Sequence, residues 1–494
     1  MKLPWRYLLV AVLLVVGSLV LPACGEEEEE ETTAPTTATE AAGPTEAATK
    51  EAALTPAGSP PAVSPSPGTA ARAPASPLCP DPQPPFVTDL EVRQTPSLGD
   101  PSARVPFRDP VFGTCLVRVT DRTTDLSPDD ASAGLKNEYS RVQSFNADGS
   151  RILVRGTGAT WYLYDAATLQ PLDQVPLEID PRWDADNPDL LYYAQETRLM
   201  AYNVQTQAQT LVHDFAADFP GQSLAAVWTH YEGSPSLDGR YWGLMAEDQN
   251  WQTVALLVYD RQADQVIAKR DMRGVPGAEA IDNAYISPLG NYFIADFSDY
   301  YCERGQLGTD EKPCGYMVYD RNLKNGRGLL RISGHMDVAL DAQGREVVVY
   351  EDIDTDNISM LDLATGAVTP LWPIDFSHTA LGLHVSGRAF RRPGWALVST
   401  YNGGYPTDYT WMDNQVFAIE LKPGGRVVRL AHTHSVFKEG PVSYGEKDYW
   451  AEPHGSVNPD FTRIVFTSNS GRSGTEEVEM FLIALPPDWL ERLP

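Results

Sequence analysis

Short apolar segments separated by turn residues fill the chain after residue 105. Runs rich in Val, Ile, Tyr, Phe and Trp alternate with Gly, Pro, Asn and Asp, which is the pattern of strands joined by tight turns. One turn, a small residue or Pro followed by Asp and then Gly or Asn, recurs before an apolar strand. Its seven copies, of which the sixth is degenerate, lie at 146–149, 186–189, 236–239, 287–290, 341–344, 386–388 and 458–461. This recurrence predicts an all-β chain built from a repeat.

A second turn follows the next strand in most repeats. It begins with an aromatic or aliphatic residue and Asp, as at Tyr164-Asp165 and Leu361-Asp362. A further strand comes after it, which makes four strands per repeat of about 40 to 70 residues. Repeats of this kind over residues 105–490 predict a seven-bladed β-propeller. The alternation of the two turns resembles that of periplasmic TolB-type and WD40-like propellers, and this resemblance implies the fold while leaving the function open.

The last repeat has too few strands to complete a blade. It offers apolar segments at 463–467 and 477–484, and no fourth segment follows them. The segment 115–121 has the pattern of a strand and precedes the first repeat. We expect this N-terminal strand to complete the last blade and close the ring, because closure removes the open sheet edge. Loss of the strand is then expected to open the whole propeller.

The residues before each recurring turn are predicted to form the innermost strands of the blades. Because all blades run in the same direction, the entry points of these strands converge on one mouth of the central channel. The polar side chains expected there are Glu138, Tyr139, Arg141, Arg182, His230, Glu232, Asp282, Asn283, His335, Asp337, either His378 or His384, Glu452 and His454. His432 and His434 lie on the connection into the last blade, so we expect them near the same mouth.

The histidines of this set suit a divalent cation. Neutral imidazoles supplemented by a carboxylate are ligands for such ions, and the metals considered are Mn, Zn, Fe, Ni and Ca. His432 and His434 are two residues apart, so both rings point to one face of an extended segment. We therefore take His384, His432, His434 and His454 as candidate metal ligands. The alternative is that these histidines line a polar channel and bond to the backbone.

Histidines around the mouth of a seven-bladed propeller resemble the metal sites of oligogalacturonate lyases and of some ulvan lyases. The resemblance implies a metal that holds a uronate carboxylate and a base that takes the adjacent ring proton. The candidate bases are Tyr139, His230 and His335, and the candidate ligand-binding residues are Arg141, Arg182 and Glu452. A propeller that binds a protein or carbohydrate at its mouth without catalysis fits the same residues. We take this non-catalytic binding as the first hypothesis and a metal-dependent polysaccharide lyase as the alternative.

The first 24 residues have the pattern of a secretory signal. Lys2 and Arg6 precede an apolar run that is short for a membrane span, and small residues precede Cys24. The sequence Leu-Pro-Ala-Cys at 21–24 resembles the lipobox of bacterial lipoproteins, which implies cleavage before Cys24 and lipidation of its thiol. Residues 25–85 hold six consecutive glutamates and then mostly Thr, Ala, Pro and Ser, so we predict a disordered tether. The propeller is thus expected at the extracytoplasmic face of a cell membrane, held there by its lipid anchor alone.

Charge narrows the classes of partner. The formal net charge of −29 argues against nucleic acid and against anionic surfaces, because nonspecific binding to either requires a basic patch. An acidic chain of this kind favours cations, cationic groups or neutral ligands. The expected partner is a protein or a carbohydrate, and we expect the chain to be a monomer.

Cysteine usage agrees with an oxidising compartment. Lipidation of Cys24 leaves four of the five cysteines. Cys302 and Cys314 flank a polar loop and are predicted to form a disulfide. Cys79 and Cys115 could tie the end of the tether to the first strand. Their wide spacing argues against a thiolate metal site.

Overall fold

The computed structural model describes residues 78–79, 86–298, 302, 306–331, 335–379, 381–402, 410–437 and 448–494. These residues form seven antiparallel sheets, six with four strands and one with five, which follow one another as the blades of a propeller. The prediction of an all-β, seven-bladed β-propeller is confirmed. The predicted signal at 1–24 lies outside the described residues, as does the predicted tether at 25–85 except for Leu78 and Cys79.

The chain enters the ring through two strands of the last blade, β1 (Phe107–Arg108) and β2 (Cys115–Arg118). The first blade contains β3 (Leu135–Lys136), β4 (Arg151–Gly156), β5 (Trp161–Asp165) and β6 (Pro171–Val175). The second contains β7 (Ile179–Trp183), β8 (Leu190–Gln195), β9 (Arg198–Asn203) and β10 (Gln209–Asp214). The third contains β11 (Leu224–Trp228), β12 (Tyr241–Asp248), β13 (Thr253–Asp260) and β14 (Gln265–Asp271).

The remaining blades continue in the same order. The fourth contains β15 (Ile281–Ile286), β16 (Tyr292–Phe297), β17 (Tyr316–Asp320) and β18 (Arg327–Leu330). The fifth contains β19 (Met336–Leu340), β20 (Glu346–Asp352), β21 (Asn357–Asp362) and β22 (Val368–Pro373). The sixth contains β23 (Leu381–Ser386), β24 (Trp395–Asn402), β25 (Gln415–Glu420) and β26 (Val427–His432). The seventh contains β27 (Ser456–Val457), β28 (Arg463–Ser468) and β29 (Glu479–Ala484).

Helices are short within the described residues. They comprise one α-helical turn, Arg122–Asp125, and 3-10 helices at Phe215–Asp218, Ala278–Ala280 and Tyr449–Ala451. None of the helices in this part of the chain has the length and apolar character needed to cross a membrane.

The last blade is closed by the N-terminal strand, as predicted. Strand β2 pairs antiparallel with β29, so that Cys115 lies opposite Ala484 and Arg118 lies opposite Phe481. Strand β1 then pairs with β2 and adds a fifth strand that the repeat pattern did not indicate. A disulfide joins Cys79 to Cys115, whose Cα atoms are 5.8 Å apart. The chain entering the ring is therefore tied to its closing strand.

A second disulfide joins Cys302 to Cys314, with 5.2 Å between the Cα atoms. This is the pair that the flanking polar loop predicts. The bridge closes a short excursion between β16 and β17 in the fourth blade. It therefore ties this loop to Cys314, which is buried in the blade.

Both recurring turns have a local cause. The carboxylate of Asp165 accepts a hydrogen bond from the backbone N–H of Thr168 at 2.7 Å, and Asp362 accepts one from Thr365 at 2.9 Å. Such bonds fold the chain back on itself, which explains why Asp stands at the start of the second turn. Gly149 ends a copy of the first turn with a φ of 70°, where a side chain would be strained.

The sixth, degenerate turn fastens two blades together. Asp337 on β19 accepts hydrogen bonds from the backbone N–H of Gly387 and from the Arg388 guanidinium, both at 2.8 Å. A Cβ atom on Gly387 would lie 2.1 Å from the Val338 carbonyl oxygen. The turn departs from the repeat because its backbone contacts the neighbouring blade.

Candidate metal centre

Three side chains from the sixth and seventh blades meet at the channel mouth. His384 lies on β23, and Glu452 and His454 lie just before β27. One ligand atom from each residue can be chosen so that all three lie within 4.8 Å of one another. His384 Nε2 is 3.2 Å and His454 Nε2 is 3.5 Å from the same Glu452 carboxylate oxygen. All three residues are buried, and we call them the triad.

The backbone of His454 is held in an uncommon conformation. Its φ is 42°, in the left-handed region that non-glycine residues seldom occupy. The amide of Asn137 in the first blade donates to the His454 carbonyl at 2.6 Å, and Thr467 donates to Asn137 at 2.9 Å. Gly455 N–H donates to Ser399 Oγ at 2.8 Å. Contacts from three blades thus fix a strained residue, which is a pattern found at functional sites.

The imidazoles of the triad are in the protonation state that a metal requires. Burial lowers the pKa of His384 well below its ordinary value, and the neighbouring His335 lowers it further. Burial likewise lowers the pKa of His454, with a second contribution from His384. Both rings are therefore neutral at pH 7, and neutral imidazole is the form that binds cations.

The unused hydrogen-bonding capacity of the triad fits a bound cation. Neither ring nitrogen of His384 has a hydrogen-bond partner in the described part of the chain, and Nδ1 of His454 has none there either. Buried polar atoms are rarely left without a partner, so each such atom requires an explanation. Two imidazoles and one carboxylate are a common donor set for Mn, Zn and Fe. The triad residues can therefore hold a divalent metal.

A third imidazole lies against the triad. The ring of His335 stacks on His384 with 4.3 Å between the ring centroids. Burial lowers the pKa of His335, although its hydrogen bond to the Leu383 carbonyl opposes this effect. Since one ring nitrogen donates to Leu383, the other nitrogen of the neutral ring is an acceptor.

Two tyrosines border the same space. The ring of Tyr139 is 4.7 Å from the ring of His454 and 5.5 Å from that of His384. Tyr401 stacks on His384 at 5.7 Å. Burial raises the pKa of both phenols well above the ordinary value, and the Glu452 carboxylate adds to this effect. Both hydroxyls therefore keep their protons at neutral pH and act as donors.

Arg141 pairs with acidic groups of the third and fourth blades. It is 3.2 Å from the Glu232 carboxylate and 3.5 Å from the Asp296 carboxylate. Burial raises the pKa of Glu232 to about 8 and that of Asp296 to about 7, against the attraction of Arg141. The guanidinium also lies over the Tyr139 ring at 5.7 Å. Arg141 therefore borders the candidate site.

Arg182 has a different environment from the one expected of a ligand-binding arginine. It is 3% exposed and donates to the backbone carbonyls of Gly233 and Tyr231, both at 2.6 Å. Its guanidinium also binds the Glu138 carboxylate at 3.0 Å. These partners lie in the first and third blades, so Arg182 on β7 joins three blades and has little capacity left for a ligand.

His230 is held within the third blade. Its ring packs on Trp228 at 4.8 Å and on Tyr231 at 5.3 Å, and Nδ1 hydrogen bonds to the Asp282 carbonyl. The described structure gives it no contact with the triad. Of the three candidate bases, Tyr139 and His335 contact the triad, whereas His230 does not.

His432 and His434 lie apart from the triad, although the sequence placed them with it. His432 ends β26 at the outer side of the sixth blade and packs on Phe112 at 4.8 Å. One ring nitrogen of His432 bonds the Arg93 carbonyl and one of His434 bonds the Pro96 carbonyl, each at 3.2 Å. The reason for the difference is that both residues still belong to the outer strand and its exit. They hold the N-terminal segment against that strand.

Two cations beside the triad were not indicated by the sequence. Lys136 on β3 is 1% exposed, and burial lowers its pKa to about 7. Its ammonium donates to the Glu138 carbonyl at 2.8 Å and lies 5.4 Å from the Trp450 ring. Arg155 on β4 lies 5.7 Å from the same ring. A single Lys in a two-residue strand carries no recognisable pattern, and only the strand register brings it beside Arg155.

Comparison with known proteins supports the fold. No protein-family model and no curated protein matches the chain. An oligogalacturonate lyase solved in complex with manganese aligns over 78% of this chain and 96% of its own, with 16% identity and a TM-score of 0.52. An oligogalacturonate lyase from Vibrio parahaemolyticus aligns over 78% and 97%, with 13% identity and a TM-score of 0.52. TolB from Acinetobacter baumannii aligns over 60% and 63%, with 16% identity and a TM-score of only 0.32. The chain therefore shares the propeller fold of the two lyases.

Proposed function

We propose that this protein is a metal-dependent lyase that cleaves uronate-containing glycans by elimination. The observation that carries the proposal is the buried triad, in which three imidazole nitrogens of His384 and His454 have no hydrogen-bond partner within the described chain. His384, Glu452 and His454 would hold the metal. A bound divalent cation supplies Lewis-acid stabilisation of a sugar carboxylate as the adjacent carbon loses its proton. The lyase in complex with manganese makes Mn the first ion to test.

The chain itself supplies an acid and a base next to the triad. His335 is neutral because burial lowers its pKa, and its free ring nitrogen accepts the proton from the carbon that bears the carboxylate. The electron pair left behind forms a carbon–carbon double bond as the bond to the glycosidic oxygen breaks. Tyr139 keeps its proton at neutral pH because burial raises its pKa, so it can donate that proton to the leaving oxygen.

Metal content tests the first part of the proposal. The full chain is purified in medium containing Mn, Zn, Fe, Ni and Ca, and bound metal is counted by mass spectrometry. We expect about one ion per chain, lost in His384→Ala and His454→Ala. His432→Ala is the matched control, because His432 is equally buried but lies outside the triad. Loss of metal from the control alone, or absence of metal from the wild type, would contradict the proposal.

Activity tests the second part. Polysaccharides with and without uronate are incubated with the metal-loaded protein, and the ultraviolet absorbance of the unsaturated product is followed. We expect product only from uronate polymers, and loss of at least about a hundredfold in rate for His335→Ala, which lies within the range of general-base effects. Tight glycan binding without any product would instead support the non-catalytic hypothesis, in which the propeller only recognises its ligand.

We also propose a cellular location for the protein. A lipid on Cys24 would hold the propeller at the extracytoplasmic face of the membrane as a monomer, with the acidic chain excluding nucleic acid as a partner. Replacement of Cys24 by Ser should release the protein from the membrane fraction into the soluble one. If the Cys24→Ser variant sediments with membranes as the wild type does, the anchor is not lipid on this residue.

A further inference from the structure

A buried cation, Lys136, and a half-buried cation, Arg155, face each other beside the triad. Lys136 on β3 and Arg155 on β4 are direct partners in the strand register, so their side chains leave the sheet on the same face. Like charges directly opposite each other destabilise an antiparallel pair, and burial strengthens the repulsion. Lys136, whose pKa burial lowers to about 7, adds a second positive charge to that of Arg155 whenever it is protonated, in a chain whose formal net charge is −29. Lys136 and Arg155 therefore repel each other within a chain that is acidic as a whole.

No carboxylate in the described structure neutralises this pair. Neither Lys136 nor Arg155 forms an ion pair in the described part of the chain, and the guanidinium Nε of Arg155 has no hydrogen-bond partner there. Glu138, Glu452 and Glu232 attract Lys136 only from a distance. Glu138 pairs with Arg182 at 3.0 Å and Glu232 with Arg141 at 3.2 Å, whereas Glu452 lies 3.2 Å from the neutral His384 ring. Among the described residues, the positive charge is therefore left without a paired counter-charge.

Trp450 forms a wall shared by the two cations. Its ring lies 5.4 Å from the Lys136 ammonium and 5.7 Å from the Arg155 guanidinium. Trp450 is half-buried and so is Arg155, whose Nε is fully enclosed. An aromatic face beside two cations can pack against a sugar ring while the cations bind its acidic substituent. The three side chains thus offer both kinds of contact that an acidic sugar needs.

The position of this group relates it to the triad. Trp450 precedes Glu452 by two residues, and Asn137, which follows Lys136, donates to the His454 carbonyl at 2.6 Å. Lys136 also acts electrostatically on both His384 and His454. A ligand bound at the triad would therefore extend toward Lys136 and Arg155 with its neighbouring unit.

We propose that Lys136, Arg155 and Trp450 form a second anion-binding subsite, which takes the carboxylate of a sugar acid next to the unit held at the triad. The substrate class is then a glycan with at least two consecutive acidic units. This inference rests on the proposed function for the first unit only. The planar guanidinium favours a carboxylate, which it can bind through two parallel hydrogen bonds. Binding removes the repulsion that the free protein carries.

The test measures binding to the full chain after chelator treatment, so that no turnover occurs. The probes are a galacturonate disaccharide, its uncharged methyl ester and sodium sulfate, each titrated by calorimetry. We expect the disaccharide to bind, the ester to bind at least about tenfold more weakly, and sulfate to bind no more tightly than the ester, as loss of a charge-assisted hydrogen bond requires. Sulfate binding as tight as that of the disaccharide would overturn the assignment to a carboxylate.

Variants locate the binding. Lys136→Met and Arg155→Gln should each weaken disaccharide binding about tenfold or more, whereas Arg155→Lys should retain part of it. Arg151→Gln is the control, because Arg151 lies on the same strand and pairs with Asp189 at 2.8 Å. Unchanged affinity in both Lys136→Met and Arg155→Gln, with the fold intact by circular dichroism, would overturn the subsite. Metal content is measured separately. If the wild type contains no metal, and the two variants still bind the disaccharide more weakly than the wild type does, the proposed function is refuted but the subsite is not.

Discussion

Replacement of Arg182 by Met gives a direct measure of how the blades are held together. The side chain is almost fully buried, and it donates to the Gly233 and Tyr231 carbonyls at 2.6 Å and to the Glu138 carboxylate at 3.0 Å. Met fills a similar volume but makes none of these bonds. Glu138 is then left buried without its counter-charge, and two carbonyls lose their donor.

The expected loss follows from these contacts. Removing one partner of a buried ion pair costs about 3 to 5 kcal/mol. The loss should shrink as the pH falls. Burial already raises the pKa of Glu138, with Arg182 opposing that effect, so without Arg182 the carboxyl binds a proton more readily. Once protonated, it needs no counter-charge, and the variant approaches the wild type.

The assay is urea unfolding followed by tryptophan fluorescence at pH 8 and at pH 5. Arg151→Gln is the control, because the Arg151 to Asp189 pair is only partly buried and should contribute less than about 1 kcal/mol. A loss below about 1 kcal/mol in Arg182→Met, together with weaker disaccharide binding, would refute the reasoning and restore Arg182 as a ligand-binding residue.

Three further predictions concern single groups. The pKa of Lys136 falls from 10.5 to about 7 on folding, so the free energy of unfolding of the wild type should rise between pH 7 and pH 10. Lys136→Met should then stabilise the fold by about 3 to 5 kcal/mol at pH 6. An equal gain in stability at pH 10 would show that the charge of Lys136 is not the cause. Gly387→Ala should cost about 2 to 3 kcal/mol through its clash with the Val338 carbonyl, measured as a lower Tm, and an unchanged Tm would show that the backbone can shift. Removal of the Cys79 to Cys115 bridge, which spans 36 residues, should cost about 4 kcal/mol; identical urea midpoints for the oxidised protein and the double Ser variant would disprove it.

The repeat made the fold predictable from the sequence. Each blade repeats the same two turns, and these form through local contacts such as Asp165 with Thr168. Closure was predictable too, because the last repeat lacked a strand and 115–121 had the pattern of one. Strand β1 could not be predicted, because its two residues, Phe107 and Arg108, are too few to show any periodicity.

The candidate site was only partly predictable. Counting back from each turn placed His384, Glu452 and His454 at one mouth, and the structure brings them together. The same reasoning failed for His432 and His434, because spacing of two residues reports which face the rings share and not which side of the blade they occupy. Side-chain partners decide that question, and they lie more than 300 residues away in the N-terminal segment.

The unmatched cations show a further limit of sequence reasoning. Lys136 and Arg155 are 19 residues apart in the sequence, and nothing local relates them. Only the register of β3 against β4 makes them neighbours. Arg182 shows the opposite error. Its position at the channel predicted a contact with a ligand, but its N–H donors bind the carbonyls of Gly233 and Tyr231 in the next blade.

Closure by the N-terminal strand also imposes an order in time on folding. Arg118 pairs with Phe481, a residue that a ribosome adds 363 positions later. At about 5 to 20 residues per second, that interval is roughly 20 to 70 seconds. Throughout it, Leu116 and Val117, which are fully enclosed in the finished ring, have no strand to pair with along that edge. The newly made chain therefore carries an unpaired strand edge, which is a template for pairing with other chains, until its last strand has been synthesised.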